Sequence, residues 1–112
     1  MAVSKFDHAF NNAKGAAKRR RLKVNDKKFA GICKSLGPSL YKADARWVAA
    51  TDRKEIATIK KNFVAGKLKI KGDKADAAID YAIKKIGKSN RHKHRALFYY
   101  LIAEKLGKLS KF

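Results

Sequence analysis

The sequence has a single cysteine, Cys33, so no internal disulfide can form, and such sparing use fits a reducing compartment. No apolar run approaches the ~18 residues that a bilayer-spanning helix needs. The first residues show no continuous apolar segment followed by a small-residue cleavage site, so no secretory leader is expected. These absences lead to the expectation of a cytoplasmic protein without a membrane partner. Proline occurs once, at Pro38. Acidic residues are scarce: 9 Asp and Glu stand against 29 Lys and Arg, a formal net charge of +20 in 112 residues.

A length of 112 residues suits one domain. Hydrophobic residues make up 46% of the chain, enough for a real core, so disorder throughout is not expected despite the charge. Self-repulsion at this imbalance opposes the compact state. A polyanion would relieve it, since each neutralised phosphate also releases condensed counterions. The other reading of the basicity is a lineage-wide bias in composition.

Helix punctuation is legible along most of the chain. Ser4 is a candidate cap for a first amphipathic helix bearing Phe6 and Phe10, which runs into the basic block Lys18-Arg19-Arg20-Arg21-Leu22-Lys23. Gly15 weakens a helix there, leaving the block as a frayed end or an arm. Asn25-Asp26 opens a second helix, with Phe29, Ile32, Cys33 and Leu36 on one stripe and Gly37-Pro38 as its stop. Residues 38–50 read as a turn with a short helix around Trp47 and Val48. Asp52 and Glu55 resemble a capping box before Ile56, Ile59 and Phe63, with Gly66 closing the helix.

Lys67-Leu68-Lys69-Ile70-Lys71 alternates with period two. Lacking a second good strand to pair with, it is expected to be an extended connector that packs Leu68 and Ile70. Asp73 is the expected cap of a helix burying Ala75, Ala78, Ile79, Ala82, Ile83 and Ile86, which Gly87 stops. Asn90 is the expected cap of the last helix, from Arg91 to Leu106. Its run Leu97-Phe98-Tyr99-Tyr100-Leu101-Ile102 is too apolar for a surface helix and marks it as the central one. Leu109 and Phe112 are placed to fold back onto it. Asp26, Asp52, Glu55, Asp73 and Asp76 all fall in predicted first turns, where they complement the helix dipole.

That placement leaves few carboxylates for chemistry, and no catalytic constellation is found. A phosphate cradle of the form GxxxxGK[ST] is absent. Asp76 and Asp80 share a helix face but nothing joins them. His92 and His94, two apart with Lys93 between, have the wrong spacing for a metal pair on a helix and read as solvated or phosphate-contacting. Cys33, within an apolar stripe, reads as packing. Neither catalytic residue, metal ligand nor cofactor is assigned.

Basic clusters are the stronger signal. Lys84, Lys85, Lys88, Arg91, Lys93 and Arg95 surround one turn with no acid between Asp80 and Glu104. Lys18, Arg19, Arg20, Arg21 and Lys23 form a second cluster, and Lys60, Lys61, Lys67, Lys69, Lys71 and Lys74 a third. No helix-turn-helix or RNA-binding signature accompanies them, so backbone contact without base reading is the default.

From Asn25 onward the chain resembles a family of small bacterial helical proteins catalogued as a domain of unknown function. The likeness lies in Ser35-Leu36-Gly37-Pro38-Ser39-Leu40-Tyr41, Asp44 to Val48, Thr51-Asp52 through Lys61-Asn62-Phe63, and Lys67-Leu68. It is most specific in Arg95-Ala96-Leu97-Phe98-Tyr99-Tyr100-Leu101-Ile102-Ala103-Glu104-Lys105-Leu106-Gly107-Lys108-Leu109. Covering about residues 25–109, it implies a compact helical fold and no established activity. Members of that family are less basic, so the arm before Asn25 and the excess lysine set this chain apart.

The expectation is therefore an all-α fold, a single compact bundle of about five helices, with a helical domain at 25–112 and a basic N-terminal helix or arm at 1–24. The expected function is non-catalytic, largely sequence-independent binding of DNA or RNA. The expected contacts are Lys18, Arg19, Arg20, Arg21, Lys23, Lys84, Lys85, Lys88, Arg91, Lys93 and Arg95. The alternative is a protein-interaction module with an acidic partner. A third reading is an enzyme with a shallow pocket near Tyr41 and Trp47.

Overall fold

The structure, a computed structural model, describes residues 5–19, 21–36, 47–48, 52–87 and 93–112. Expectations resting on Ser4, Arg20, Gly37, Pro38, Tyr41, Lys88, Asn90, Arg91 and His92 lie outside the described residues, as does the side chain of Trp47. Among the described residues five helices follow one another: α1 (Lys5–Arg19), α2 (Asp26–Leu36), α3 (Arg53–Ile59, continued by a π-helical stretch Lys60–Ala65), α4 (Asp73–Ile86) and α5 (Arg95–Lys105). A final 3-10 turn covers Leu109–Lys111. Two two-residue strands, β1 (Trp47–Val48) and β2 (Lys93–His94), pair antiparallel with Trp47 opposite His94. The fold is all-α around this short bridge.

α5 is the centre. Ala96, Leu97, Phe98, Tyr100, Leu101, Ile102 and Ala103 are all buried, so its apolar surface runs most of the way round. α1, α2, α4 and the π-helical end of α3 all pack against it, α4 most extensively. The partners meet it through small or aliphatic stripes. α4 contributes Ala75, Ala78, Ile79, Ala82 and Ile86, and α2 contributes Phe29, Ile32 and Cys33. Phe29 stacks on Tyr100 with ring centroids 5.4 Å apart. The Tyr100 hydroxyl accepts the Asn25 backbone N–H at 2.9 Å, which ties the start of α2 to the central helix.

α1 belongs to the same core. Ala9, Ala13, Ala16 and Ala17 are buried in it, and the helix runs unbroken through Gly15. A stripe of alanines lets α1, part of the segment the sequence marks as a basic helix or arm, approach the core closely, which its low mean hydropathy conceals.

Local rules explain most boundaries. Asn25 accepts the Lys28 N–H through Oδ1 at 3.1 Å, and Asp52 accepts the Lys54 N–H at 2.9 Å, as helix caps do. Two expected caps are corrected. Before α4 it is Gly72, with φ 75°, that occupies the cap position; its carbonyl takes the Ala75 and Asp76 N–H groups, while Asp73 lies within the first turn. The last helix begins at Arg95, because Lys93 and His94 are drawn into the strand pair. His94 caps it, Nδ1 accepting the Ala96 N–H at 3.2 Å. That ring is 2% exposed, not solvated as the sequence suggests.

The lysine-alternating segment after α3 is no strand. Lys69 takes a left-handed φ of 61°, and the N–H groups of Leu68 and Ile70 return to the carbonyls of Phe63 and Val64. The connector thus folds back on α3, with Leu68 fully buried and Ile70 half-buried. Gly66 sits where an added Cβ would lie 2.3 Å from the Asn62 carbonyl oxygen. The widened π turn therefore needs glycine there. Gly31 has a similar role in mid-helix, since a Cβ there would lie 2.9 Å from the Cβ of Phe112, which folds back onto α2. Among the described residues no helix is long and apolar enough to cross a membrane.

Burial pushes the Cys33 thiol up to about 12 from its ordinary 9.0. Because the folded value lies above the unfolded one, the unfolded chain ionises first. This group's share of stability is complete below about pH 9 and is lost as pH rises toward 12. Native Cys33 should resist a thiol-specific reagent at about pH 8, while the urea-unfolded chain reacts promptly. Equal labelling rates in the two states would show that the thiol is not held in the core.

Candidate functional site

Arg95 opens α5 and turns toward α3. Its Nη2 donates to Glu55 Oε1 in an ion pair, and its Nη1 donates to the Tyr99 hydroxyl at 3.1 Å. The two charged side chains are only 14% and 24% exposed. The guanidinium fork suits such divided donation, which a lysine could not reproduce. Tyr99 stacks on Phe63 at 4.2 Å, so the Arg95 network rests on an aromatic floor supplied by the π-helical turn. Burial raises the Tyr99 phenol above its ordinary value, against the opposing pull of Arg95. Glu55, read from sequence as half of a capping box, is thus an inter-helix ion partner. Arg95, placed in sequence among the phosphate contacts, holds α5 to α3 through this pair.

The remaining expected cations fall in two places. Lys18 and Arg19 are exposed in the last turn of α1, and Arg21 and Lys23 are exposed just beyond it, where Arg21 turns the chain with φ 55°. Lys14, Lys18, Leu22 and Val24 line a shallow cleft at this end. Lys84 and Lys85 are exposed in the last turn of α4. Lys84 pairs with Asp80 at 2.9 Å, and Lys85 lies over the Tyr81 ring at 5.7 Å. Lys105, distant in sequence, lies over the same ring at 5.3 Å, while the Tyr81 hydroxyl reaches Glu104. Arg20, Lys88 and Arg91 lie outside the described residues. For Lys93 only the backbone, within β2, is described.

A third gathering surrounds α3 and its connector. Lys60, Lys61 and Lys71 rim a cleft of about 330 Å³ whose floor is Ala57, Ala65 and Ile70. Lys60 also pairs with Asp76 at 2.8 Å. On the neighbouring side, Lys67 and Lys111 come together across 44 residues, Lys111 Nζ donating to the Lys67 carbonyl at 3.1 Å and Lys67 Nζ to the Ser35 carbonyl at 3.2 Å. No local pattern points to Lys105 or Lys111: the packing of α5 on α4 brings the first to Tyr81, and the fold-back of the C-terminal segment brings the second to Lys67. Among the described residues no group of three or more His, Cys, Asp or Glu gathers to hold a metal ion.

Glu55→Gln should destabilise the fold by about 1.5–3 kcal/mol in urea unfolding, because it leaves a half-buried guanidinium with a weaker acceptor. A change within about 0.5 kcal/mol would mean that the pair behaves as an ordinary surface contact.

No curated protein matches the sequence. The model of the family described as "Protein of unknown function (DUF2853)" matches residues 11–110, from within α1 to the last turn. The match starts ahead of Asn25, in keeping with the place of α1 in the shared core. The chain belongs to this family.

Proposed function

We propose that the protein binds nucleic acid, DNA or RNA, through its phosphates, without sequence preference and without catalysis. One observation carries the reading: most of the described acidic side chains are engaged by partners within the chain. Asp26 pairs with Lys14, Glu55 with Arg95, Asp76 with Lys60 and Asp80 with Lys84, while Asp52 caps α3. With 29 cations against 9 acids, even complete pairing leaves twenty positive charges unmatched. Lys18, Arg19, Arg21, Lys23, Lys61, Lys67, Lys69, Lys71, Lys74, Lys85 and Lys105 are all exposed. A helical body bearing mobile ammonium groups suits a regular array of phosphates, which demands charge rather than a shaped pocket. We assign the protein to the cytoplasm, where a lone cysteine stays reduced.

A second reading, an acidic protein partner, has its own support. The cleft over Ala57, Ala65 and Ile70, rimmed by Lys60, Lys61 and Lys71, suits an amphipathic segment with apolar and acidic faces. The two readings separate by salt. A stoichiometric protein complex that survives about 0.5 M salt favours the partner, whereas phosphate binding is abolished there.

The test is a salt titration of affinity for duplex and single-stranded DNA and RNA. With six to ten phosphate contacts, affinity should fall roughly 10³–10⁵-fold between about 50 and 200 mM salt. Neutralising Lys18, Arg19, Arg20 and Arg21 together, or Lys84, Lys85 and Lys88 together, should each lower the log–log slope by about 0.9 for every phosphate left without its cation. An unchanged slope in both variants would overturn the proposed surface.

A further inference from the structure

Two clefts share Ser35 and Lys67 and form one groove. The first, about 150 Å³, is lined by Ser35, Leu36, Asn62, Phe63, Lys67, Arg95 and Tyr99. The second adds Gly31, Lys111 and Phe112. Phe63 stands between the other two rings, 4.2 Å from Tyr99 and 6.1 Å from Phe112, nearly parallel to both. Tyr99 and Phe112 are only partly buried and line the groove. Its rim is cationic, and both lysines there rest on backbone carbonyls. A phosphate is a stronger acceptor than a carbonyl and would draw both ammonium groups away.

The backbone beneath is also unusual. The π-helical stretch Lys60–Ala65 carries Asn62 and Phe63 into this groove, and such widened turns recur at functional sites.

Aromatic rings in a row beside paired lysines are the chemistry of single strands. Bases stack on the rings whatever their identity, and the backbone follows the cations. A duplex hides its base faces and could use only the charge. We propose that this groove binds single-stranded nucleic acid, with Tyr99 and Phe112 as stacking surfaces and Lys67 and Lys111 as phosphate contacts. The proposal rests on the nucleic-acid reading above and narrows it to one strand class and one place.

The test compares a labelled oligothymidine, an abasic oligomer of equal length and charge, and a duplex at matched ionic strength. The intact protein should bind the oligothymidine at least about tenfold more tightly than the abasic oligomer, the margin of one or two stacked bases. Phe112→Leu should erase most of that margin and leave duplex binding unchanged. Because Tyr99 also supports Arg95, the exposed Lys67→Ala and Lys111→Ala serve as the variants that keep the fold, checked by their melting curves. Each should lower the single-strand salt slope by about 0.7. Equal affinity for the oligothymidine and the abasic oligomer, or equal losses on duplex and single strand, would overturn the groove while leaving phosphate binding in place. Failure to bind any of the three would overturn both.

Discussion

Nearly everything in this structure follows from the need to hide α5 from water. Seven of its eleven residues are buried, and a helix with apolar side chains on most of its circumference is stable only when enclosed. Four other helices are recruited as its cover. Each presents an apolar stripe inward and leaves most of its charged residues on the outer face, with the Arg95–Glu55 pair drawn inward. The surface charge is thus as much a consequence of the core as of any ligand, and the fold sets its distribution.

Within that distribution the two signs behave differently. Asp26, Glu55 and Asp76 sit at helix starts, where the dipole favours them, and reach sideways to a lysine or arginine of a neighbouring element. Their influence ends close to the backbone. Among the described lysines, Lys14 and Lys60 answer those carboxylates, Lys67 and Lys111 reach backbone carbonyls, and Lys85 and Lys105 flank Tyr81. A rigid core surrounded by surplus ammonium groups is a stable platform under electrostatic load, and a polyanion removes that load.

The helices are legible in the sequence because their signals are local. The inner faces of α2 and α4, the Asp52 cap and the central place of α5 can all be read from spacing alone. What escapes depends on contacts between distant segments. His94 becomes a cap because its backbone pairs with Trp47, and Arg95 is drawn into the fold because Glu55 faces it from another helix. The fold-back at Lys69 defeats a period-two pattern through one left-handed residue. α1 looks separable because alanine carries little hydrophobic signal, yet it packs tightly for that same reason. The groove around Phe63 and Lys67 draws on four segments, and no window of sequence contains it.

If the polyanion is received by the exposed cations, and not by those engaged inside the fold, the two groups of lysines must respond differently to it. Lysine acylation footprinting with and without an oligonucleotide, read by peptide mass spectrometry, measures this directly. Protection should concentrate at Lys18 and Lys23 and across Lys61 to Lys71. Lys14 and Lys60, each half-buried and held by a carboxylate, should change little. Labelling that stays the same along the whole chain, or falls equally at every lysine, would contradict the claim.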